Sequence, residues 1–160
     1  MYMEKEVEIR SYLVKNIANI RHYLKYTQRE MAKMLDISLS KYKRLESNEL
    51  SFLIDILMKI RTLFNIELDD IILKELNVEE INFSNLLLNK GKLMCFFNKN
   101  LRTIRKNKNY SLPEMAEHLN LTLFQYRHLE YGDVQPSIQT LIKISKNLNI
   151  SIDDLLIKQF

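Results

Sequence analysis

The sequence predicts an all-α protein, and three observations indicate that class. Only two Gly and two Pro occur among 160 residues, which disfavours a β fold with many tight turns. Val is scarce, whereas the helix-compatible residues Leu, Ile, Lys and Glu are common. The chain also matches itself when it is shifted by 84 residues. Hydrophobic residues make up 46% of the chain, which is enough to bury a core.

The internal repeat divides the chain into two copies of one domain. Residues 16–76 align with residues 100–160 without a gap, and about a third of the aligned positions are identical. The identical pairs include two charged ones, Arg21/Arg105 and Glu46/Glu130. A period of this length indicates a duplicated domain rather than a solenoid. We expect domains at residues 1–76 and 83–160, with the polar segment 77–82 as linker.

Five helices are expected in each copy. An apolar stripe predicts that the first helix runs from about Lys5 to about Lys25. Its members are Ile9, Leu13, Ile17, Ile20 and Leu24, and the second copy has Leu93, Phe97, Leu101 and Ile104 in the matching places. The fourth helix is expected at about 52–64 and about 136–148, with Pro136 in its first turn.

Capping residues set the remaining helix ends. The fifth helix opens at Leu68 and at Ile152, where Ser151 and Asp154 fit a capping box. Gly132 is a natural stop for the third helix of the second copy. Asn48 takes the matching place in the first copy and tolerates a left-handed conformation.

The second and third helices of the first copy form a short pair joined by a tight turn, residues 27–48. Thr27 and Ser38 are suitable N-caps, and Tyr42 and Leu45 fall on one face of the third helix. Its outer face then carries Leu39, Ser40, Lys41, Lys43, Arg44 and Ser47. A short helix with an apolar underside and a basic outer face fits the major groove of DNA, although such a face can also be merely solvated.

Charge and cysteine content narrow the function classes. The formal net charge of +4 permits an acidic partner but does not require one. The single cysteine, Cys95, excludes an internal disulfide, and its apolar neighbours predict that it is buried. No apolar run approaches the ~20 residues that span a bilayer, and the charged N-terminus lacks a signal core, so we expect a cytoplasmic protein.

Chemistry at a catalytic or metal centre is not indicated by the sequence. His22 and His118 lie outside any cluster with metal-ligand spacing, so we expect no metal and no cofactor. The pairs Asp69-Asp70 and Asp153-Asp154 fall at helix starts, where carboxylates favour the helix dipole. We therefore expect that the protein is not an enzyme.

Both copies resemble the Cro/repressor-type (XRE-like) helix-turn-helix family. The first copy carries TQREMAKMLDISLSKYKRLESN, and the second carries SLPEMAEHLNLTLFQYRHLEYG followed by QPSIQTLIKISKNLNISIDDLL. The resemblance implies two tandem five-helix, lambda-repressor-like domains. It also implies a structural salt bridge between the first and third helices, here Arg21 with Glu46 and Arg105 with Glu130. The implied function is a sequence-specific transcriptional regulator that binds double-stranded DNA.

The family's contact positions can be carried onto this chain. The start of the second helix would meet a phosphate, and the outer face of the third helix would meet base edges and nearby phosphates. In the first copy these positions are Gln28, Arg29, Ser38, Leu39, Ser40, Lys41, Lys43, Arg44 and Ser47, and in the second they are Gln125, Arg127 and His128. Leu39 departs from the usual polar reader, and it either touches a thymine methyl group or packs locally.

The second copy departs further from the family pattern. Leu112 stands where the phosphate-binding Gln is usual, and Leu123 and Phe124 lie on the expected outer face. Apolar side chains on a surface often mark protein contacts, so dimerisation or partner docking competes with DNA binding in this copy. DNA binding is favoured by the cations of its first helix, which can follow a phosphate backbone: Lys99, Arg102, Lys106 and Lys108. The rival class is an antitoxin-like or anti-repressor-like interaction module that has lost DNA binding.

Overall fold

The computed structural model describes residues 2–49, 54–83 and 95–160, and these residues contain helices and no strand. The chain divides into two compact units between Lys92 and Leu93, and we call them the first and second domains. The all-α class and the tandem arrangement predicted from the sequence are confirmed.

The first domain contains five α-helices and a short 3-10 helix within the described residues. Their bounds are α1 Tyr2–Tyr23, α2 Gln28–Met34, α3 Leu39–Glu46, α4 Ile54–Phe64, α5 Leu68–Leu73 and the 3-10 helix Val78–Glu80. The predicted first helix agrees within three residues at each end. The structure does not describe the side chain of Ile9, which the stripe includes, and Phe52, the predicted start of the fourth helix, lies outside the described residues.

The second domain contains a further five α-helices within the described residues. Their bounds are α6 Phe97–Asn107, α7 Leu112–His118, α8 Leu123–Tyr131, α9 Ile138–Leu148 and α10 Ile152–Ile157. The prediction that Pro136 stands in the first turn of α9 is wrong. Ser137 is the N-cap, since its hydroxyl accepts a hydrogen bond from the Thr140 amide at 3.2 Å. The predicted stripe residue Leu93 lies outside the described residues.

Each domain packs its own first helix against its third and fifth helices. In the first domain α1 contacts α3 and α5, and in the second domain α6 contacts α8 and α10. The predicted stripe is buried at Leu13, Ile17 and Ile20, which are at most 1% exposed, whereas Leu24 at its end is half-buried. The third helix of each domain is therefore held by the core of that domain, which fixes which of its faces meets solvent.

A buried asparagine ties the first helix of each domain to the end of the fifth. Asn16 donates to the carbonyls of Ile71 and Lys74, and it accepts from the Leu76 amide. Asn100 makes the matching bonds to Leu155, Lys158 and Phe160. Both side chains are fully buried, and they satisfy backbone groups that the fifth helix leaves unpaired at its C-terminal end. The sequence analysis did not identify this role.

Two further expectations are corrected by the structure. Cys95 is exposed rather than buried, because it precedes α6, and it is Phe97 at the start of that helix that enters the core. The segment expected as linker contains the 3-10 helix, which packs against α1. Phe83, expected in the second domain, lies 5.5 Å from the Tyr23 ring and 6.0 Å from the Phe64 ring, within the first domain.

Candidate nucleic-acid interface

Local capping fixes the two helices of the first domain that form the candidate interface. The Thr27 hydroxyl accepts from the Glu30 amide, and the Glu30 carboxylate accepts from the Thr27 amide at 2.7 Å, so the capping box is complete. The Thr27 hydroxyl also donates to the Glu30 carboxylate at 2.7 Å, and this bond, followed by that from the Thr27 amide, holds the pKa of Glu30 below its ordinary value. The turn between α2 and α3 contains Asp36 in a left-handed conformation, φ 49°. Ser38 then caps α3 by accepting from the Lys41 amide.

The outer face of α3 is cationic and open to solvent. Tyr42 and Leu45 are buried beneath it, as the sequence predicted, and Lys43 and Arg44 are exposed. The Arg44 guanidinium reaches the Glu49 carbonyl at 3.3 Å. Of the other candidate contacts, Arg29, Ser38, Ser40 and Ser47 are exposed, whereas Gln28, Leu39 and Lys41 are half-buried.

A charged network joins α3 to α1 in the first domain. Arg21 Nε donates to Glu46 Oε1 at 2.7 Å, and Arg21 Nη2 reaches Glu46 Oε2 at 3.3 Å. The Tyr42 hydroxyl donates to the same carboxylate at 2.7 Å. Burial alone would raise the pKa of Glu46, but the hydrogen bonds from Arg21, Tyr42 and Gln28 outweigh it and hold that pKa below its ordinary value. Burial, followed by the bond to Glu46, raises the pKa of Tyr42.

Gln28 is part of this network. Its side-chain amide donates to Glu46 Oε2 at 2.6 Å, so the residue that the resemblance assigns to phosphate also stabilises the Arg21–Glu46 pair. One N–H of that amide is used here, and an amide nitrogen carries two. The network therefore anchors the start of α2, the end of α3 and α1 at one point.

The second domain has the same motif, with a capping box at the start of each of its two helices. Ser111 forms a capping box with Glu114, and Thr122 forms another with Gln125. Gly132 ends α8 at φ 82°, a left-handed conformation that favours glycine. Asn48 has φ 62° in the matching place, so the predicted role of both residues at the end of the third helix is confirmed.

The second charged network resembles the first but has a different fourth member. Arg105 donates to both oxygens of Glu130 at 2.8 Å, and the Tyr126 hydroxyl donates to Oε2 at 2.6 Å. Leu112 cannot donate as Gln28 does. Arg102 instead places its Nε 3.4 Å from Glu130 Oε1. Burial would raise the pKa of Glu130, but the bonds from Arg105 and Tyr126 and the nearby arginine charges hold it below its ordinary value.

The outer face of α8 has two edges of different chemistry. Arg127 and Tyr131, one turn apart, lie on the edge towards α6, where Arg102 also contacts the Tyr131 ring. Phe124 and His128 lie on the opposite edge and line a groove of about 250 Å³ together with Val134, Pro136 and neighbouring residues. We call these the α6-facing edge and the groove-facing edge of α8.

Exposure along α8 agrees only in part with the sequence expectation. Leu123 is 46% exposed and Phe124 is 71% exposed, but Leu112 is half-buried and is not part of an open apolar surface. Gln125 Oε1 accepts from the Thr122 amide at 3.0 Å, which leaves the amide nitrogen of Gln125 to donate. His128 Nδ1 lies 2.8 Å from Asp133 Oδ2, and the Phe124 ring packs edge-on against His128.

The described residues contain neither a candidate metal site nor a candidate membrane span. No group of three or more His, Cys, Asp or Glu side chains there is arranged to hold a metal ion. None of the helices in that part of the chain combines the length and the apolarity that crossing a bilayer requires.

Comparison with known families agrees with the two motifs seen in the structure. The helix-turn-helix family model matches twice, at residues 17–71 and 101–155, and each match includes one pair of capped helices with its charged network. The chain belongs to the helix-turn-helix family. The type is the Cro/repressor (XRE) type that the sequence motifs resemble.

Several curated members of the helix-turn-helix family are similar to part of this chain. An uncharacterised HTH-type transcriptional regulator, YqaE, of Bacillus subtilis is 40% identical over 60 residues, which is 38% of this chain and 52% of the relative. A prophage-derived HTH-type regulator of the same organism, YonR, is 38% identical over 60 residues, covering 38% of this chain and 56% of the relative. The cryptic phage CTXphi transcriptional repressor RstR of Vibrio cholerae is 37% identical over 51 residues, covering 32% and 46%. The chain thus spans about half the length of the curated relatives it matches, and no solved structure shows a significant match.

The helix-turn-helix motifs contain residues whose part in the interface sequence reasoning missed. Tyr131 was absent from the candidate contacts, and the contact of its ring with Arg102 on the α6-facing edge of α8 was not foreseen. One signal in the sequence pointed to them: Arg102 and Tyr131 stand where the first copy has Ala18 and Ser47. Their proximity could not be read from a single helix, because it depends on how α6 packs against α8.

Proposed function

We propose that the protein is a sequence-specific DNA-binding transcriptional regulator whose α3 enters the major groove. The observation that carries the proposal is the division of α3 into a buried side, Tyr42 and Leu45, and an exposed cationic side, Lys43 and Arg44. The charged network holds this helix rigidly against α1, so its cations stay in one orientation. The names of the relatives, which are transcriptional regulators and a repressor, support the same function.

The residues of the first domain divide into two roles under this proposal. Gln28, Arg29 and Ser47 lie at the ends of α2 and α3 and position the domain on phosphates. Ser40, Lys43 and Arg44 meet base edges and nearby phosphates from the exposed face, because Lys and Arg bond guanine acceptors or phosphate oxygens and Ser bonds either kind of group. Ser38, Leu39 and Lys41 complete the surface that meets the groove wall.

Selection of binding sites from random duplex DNA with the full chain tests this function. A regulator enriches a defined sequence, and Lys43→Ala reduces affinity for the enriched duplex. Lys74→Ala is the matched control, since Lys74 is an exposed cation of the same domain that is paired with Asp70. Failure to enrich any sequence, with no binding to the starting pool at low salt, would overturn the proposal.

The groove-facing edge of α8 supports a second candidate role, a contact with protein. We propose that Phe124, with its neighbour Leu123, joins two copies of the chain into a homodimer. Phe124 is 71% exposed beside an apolar groove, which is uncommon on a surface without a partner. Sedimentation velocity should detect a dimer that Phe124→Ser weakens. A chain that stays monomeric at all concentrations would contradict this role.

The second domain still offers polar groups to DNA from the same helix, and we propose Gln125, Arg127 and His128 as its contacts. A regulator of this kind acts where the chromosome lies, so we place it in the cytoplasm, associated with the nucleoid when bound to DNA. We also propose that it works without catalysis, through binding alone.

A further inference from the structure

We propose that Arg102, Arg127 and Tyr131 form a phosphate-binding site through which the second domain holds the DNA backbone. We call these three residues the arginine–tyrosine cluster. The inference rests on the DNA-binding function proposed above, and it adds where the second domain contacts DNA. It does not depend on the groove-facing edge of α8.

The cluster brings two guanidinium groups to one aromatic ring. The guanidinium carbons of Arg102 and Arg127 each lie 5.6 Å from the centroid of the Tyr131 ring. Arg127 and Tyr131 are four residues apart on α8, whereas Arg102 comes from α6. Tyr131 is 49% exposed, so the cluster is open to a ligand from solvent.

The positive charge of the cluster is not balanced locally. Within the described residues, Glu130 is the carboxylate that contacts it, and both oxygens of Glu130 already accept from Arg105 at 2.8 Å. Arg102 lies at a longer distance, 3.4 Å, from the same carboxylate. Arg127 makes no ion pair in the part of the chain that the structure describes. Arg102 and Arg105 therefore share one carboxylate, and Arg127 adds a third positive charge at the same ring, which leaves an excess of positive charge.

Stacking on the ring prepares the two arginines for an oxyanion. A guanidinium that packs on an aromatic face loses freedom before the ligand arrives, and its planar N–H groups match two phosphate oxygens at once. A phosphodiester offers such oxygens and carries the charge that the cluster lacks. A DNA backbone presents these groups at regular spacing, and the exposed Lys99 and Lys106 on α6 extend the cationic track beyond the cluster.

The first domain provides a comparison within the same chain. Its residues at the matching positions are Ala18, Lys43 and Ser47, which supply one cation and no ring. The second domain in turn lacks the Gln28 amide, having Leu112 there, and Pro113 has no backbone N–H to offer an anion. The second domain has thus gained a cationic donor on α6 and an aromatic ring on α8 where it lost donors at the start of its second helix.

The position of the cluster also suits a backbone contact. Arg102 and Arg127 reach the Tyr131 ring on the side of α8 that faces α6, and the groove lined by Phe124 and His128 does not include these three residues. Phosphates flank the groove that a recognition helix enters, and contacts to them position a domain without reading sequence. A contact to phosphate at this edge is compatible with either a base or a protein at the groove-facing edge.

Binding of the full chain to the duplex recovered by the selection above, measured over a range of salt concentrations, tests the cluster. Arg127→Ala and Arg102→Ala should each reduce the slope of log affinity against log salt by about one, and together by about two. Tyr131→Ala should keep the slope but weaken binding by about twofold to fivefold, the effect of an exposed cation–π contact. Tyr131→Phe should bind as the wild type does.

Lys146→Ala is the matched control, because it removes an exposed cation of α9 outside the cluster and should leave the slope unchanged. Arg127 makes no ion pair in the described structure, so its variant should fold even if Arg102→Ala does not. If Lys43→Ala reduces the slope while Arg102→Ala and Arg127→Ala behave like Lys146→Ala, the cluster proposal is wrong and the proposed function stands. If the wild type binds no duplex, both fall, and an acidic protein surface becomes the partner to test.

Discussion

Gln28 donates a hydrogen bond to Glu46 at 2.6 Å, which joins the first residue of α2 to the last residue of α3. The bond connects the position that the family places at phosphate to the ion pair that orients the recognition helix. In the second domain Leu112 removes this bond, and Arg102 approaches the matching carboxylate from α6 instead. One structural task is thus performed by different residues in two copies of the same fold.

Replacing Gln28 by the residue of the second copy tests that exchange. Gln28→Leu should lower the free energy of unfolding of the first domain by about 1.5–3 kcal/mol, since it deletes a hydrogen bond to a charged group. Adding Ala18→Arg, which places an arginine where Arg102 stands in the repeat, should recover part of the loss. Chemical denaturation of the wild type and of the two variants measures both effects, and an unchanged stability in Gln28→Leu would show that the bond contributes nothing.

Removal of Glu130 should be among the most damaging single substitutions in the second domain. Its side chain is only 1% exposed and pairs with Arg105, so Glu130→Ala leaves a partly buried cation without its partner, at a cost of about 3–5 kcal/mol. Glu46 is 11% exposed, and Glu46→Ala should cost less. Glu117→Ala, an exposed glutamate of α7, is the control and should change the free energy of unfolding by no more than about 0.5 kcal/mol.

Acid should destabilise the fold through the same two carboxylates. The pKa values of Glu46 and Glu130 in the folded state lie below their ordinary value of 4.5, so the unfolded chain binds more protons in this range. Their contribution to stability is fully present above about pH 4.5, and it is lost as the pH falls through the lowered pKa of the folded state. Melting temperatures measured from about pH 3 to about pH 6 should fall steeply on the acid side for the wild type. The Glu46→Gln/Glu130→Gln double variant should show a shallower fall, and an equally steep one would contradict this origin.

Asn100 should be as important for stability as the charged pairs, although it carries no charge. Asn100→Leu keeps the approximate size of the side chain but leaves the carbonyls of Leu155 and Lys158 without their donor. We expect a loss of at least about 2 kcal/mol in the free energy of unfolding of the second domain. Asn107→Leu, at the exposed end of the same helix, is the control. Equal stability of the two variants would show that water replaces the Asn100 bonds.

The parts of this fold that sequence predicts are those that depend on local spacing. The ends of α2 and α3 follow from Thr27 and Ser38, and the buried face of α3 follows from the three-residue separation of Tyr42 and Leu45. Arg21 and Glu46 have an identical arginine and glutamate at the matching positions of the second copy, which marked them as a candidate ion pair. The structure places them in contact. Each of these signals lies within a few residues or within the alignment of the two copies.

What sequence did not predict depends on packing between helices. Gln28 contacts Glu46 because α2 packs against α3, and Arg102 contacts Tyr131 because α6 packs against α8. Asn16 and Asn100 were overlooked because an asparagine within an amphipathic stripe gives no sign of the carbonyls that it will meet. Pro136 was misplaced because Ser137 competes for the helix start and has the better capping group.

The salt dependence of duplex binding tests the central claim most directly, because a cationic α3 that faces phosphates must release counterions when it binds. The affinity of the full chain should fall steeply between about 50 mM and about 200 mM salt, and Lys43→Ala and Arg44→Ala should each flatten that fall, by about one unit of slope for every phosphate contact removed. Lys74→Ala should leave it unchanged. A wild-type affinity that does not vary with salt, or Lys43→Ala and Arg44→Ala variants that match Lys74→Ala, would contradict the account.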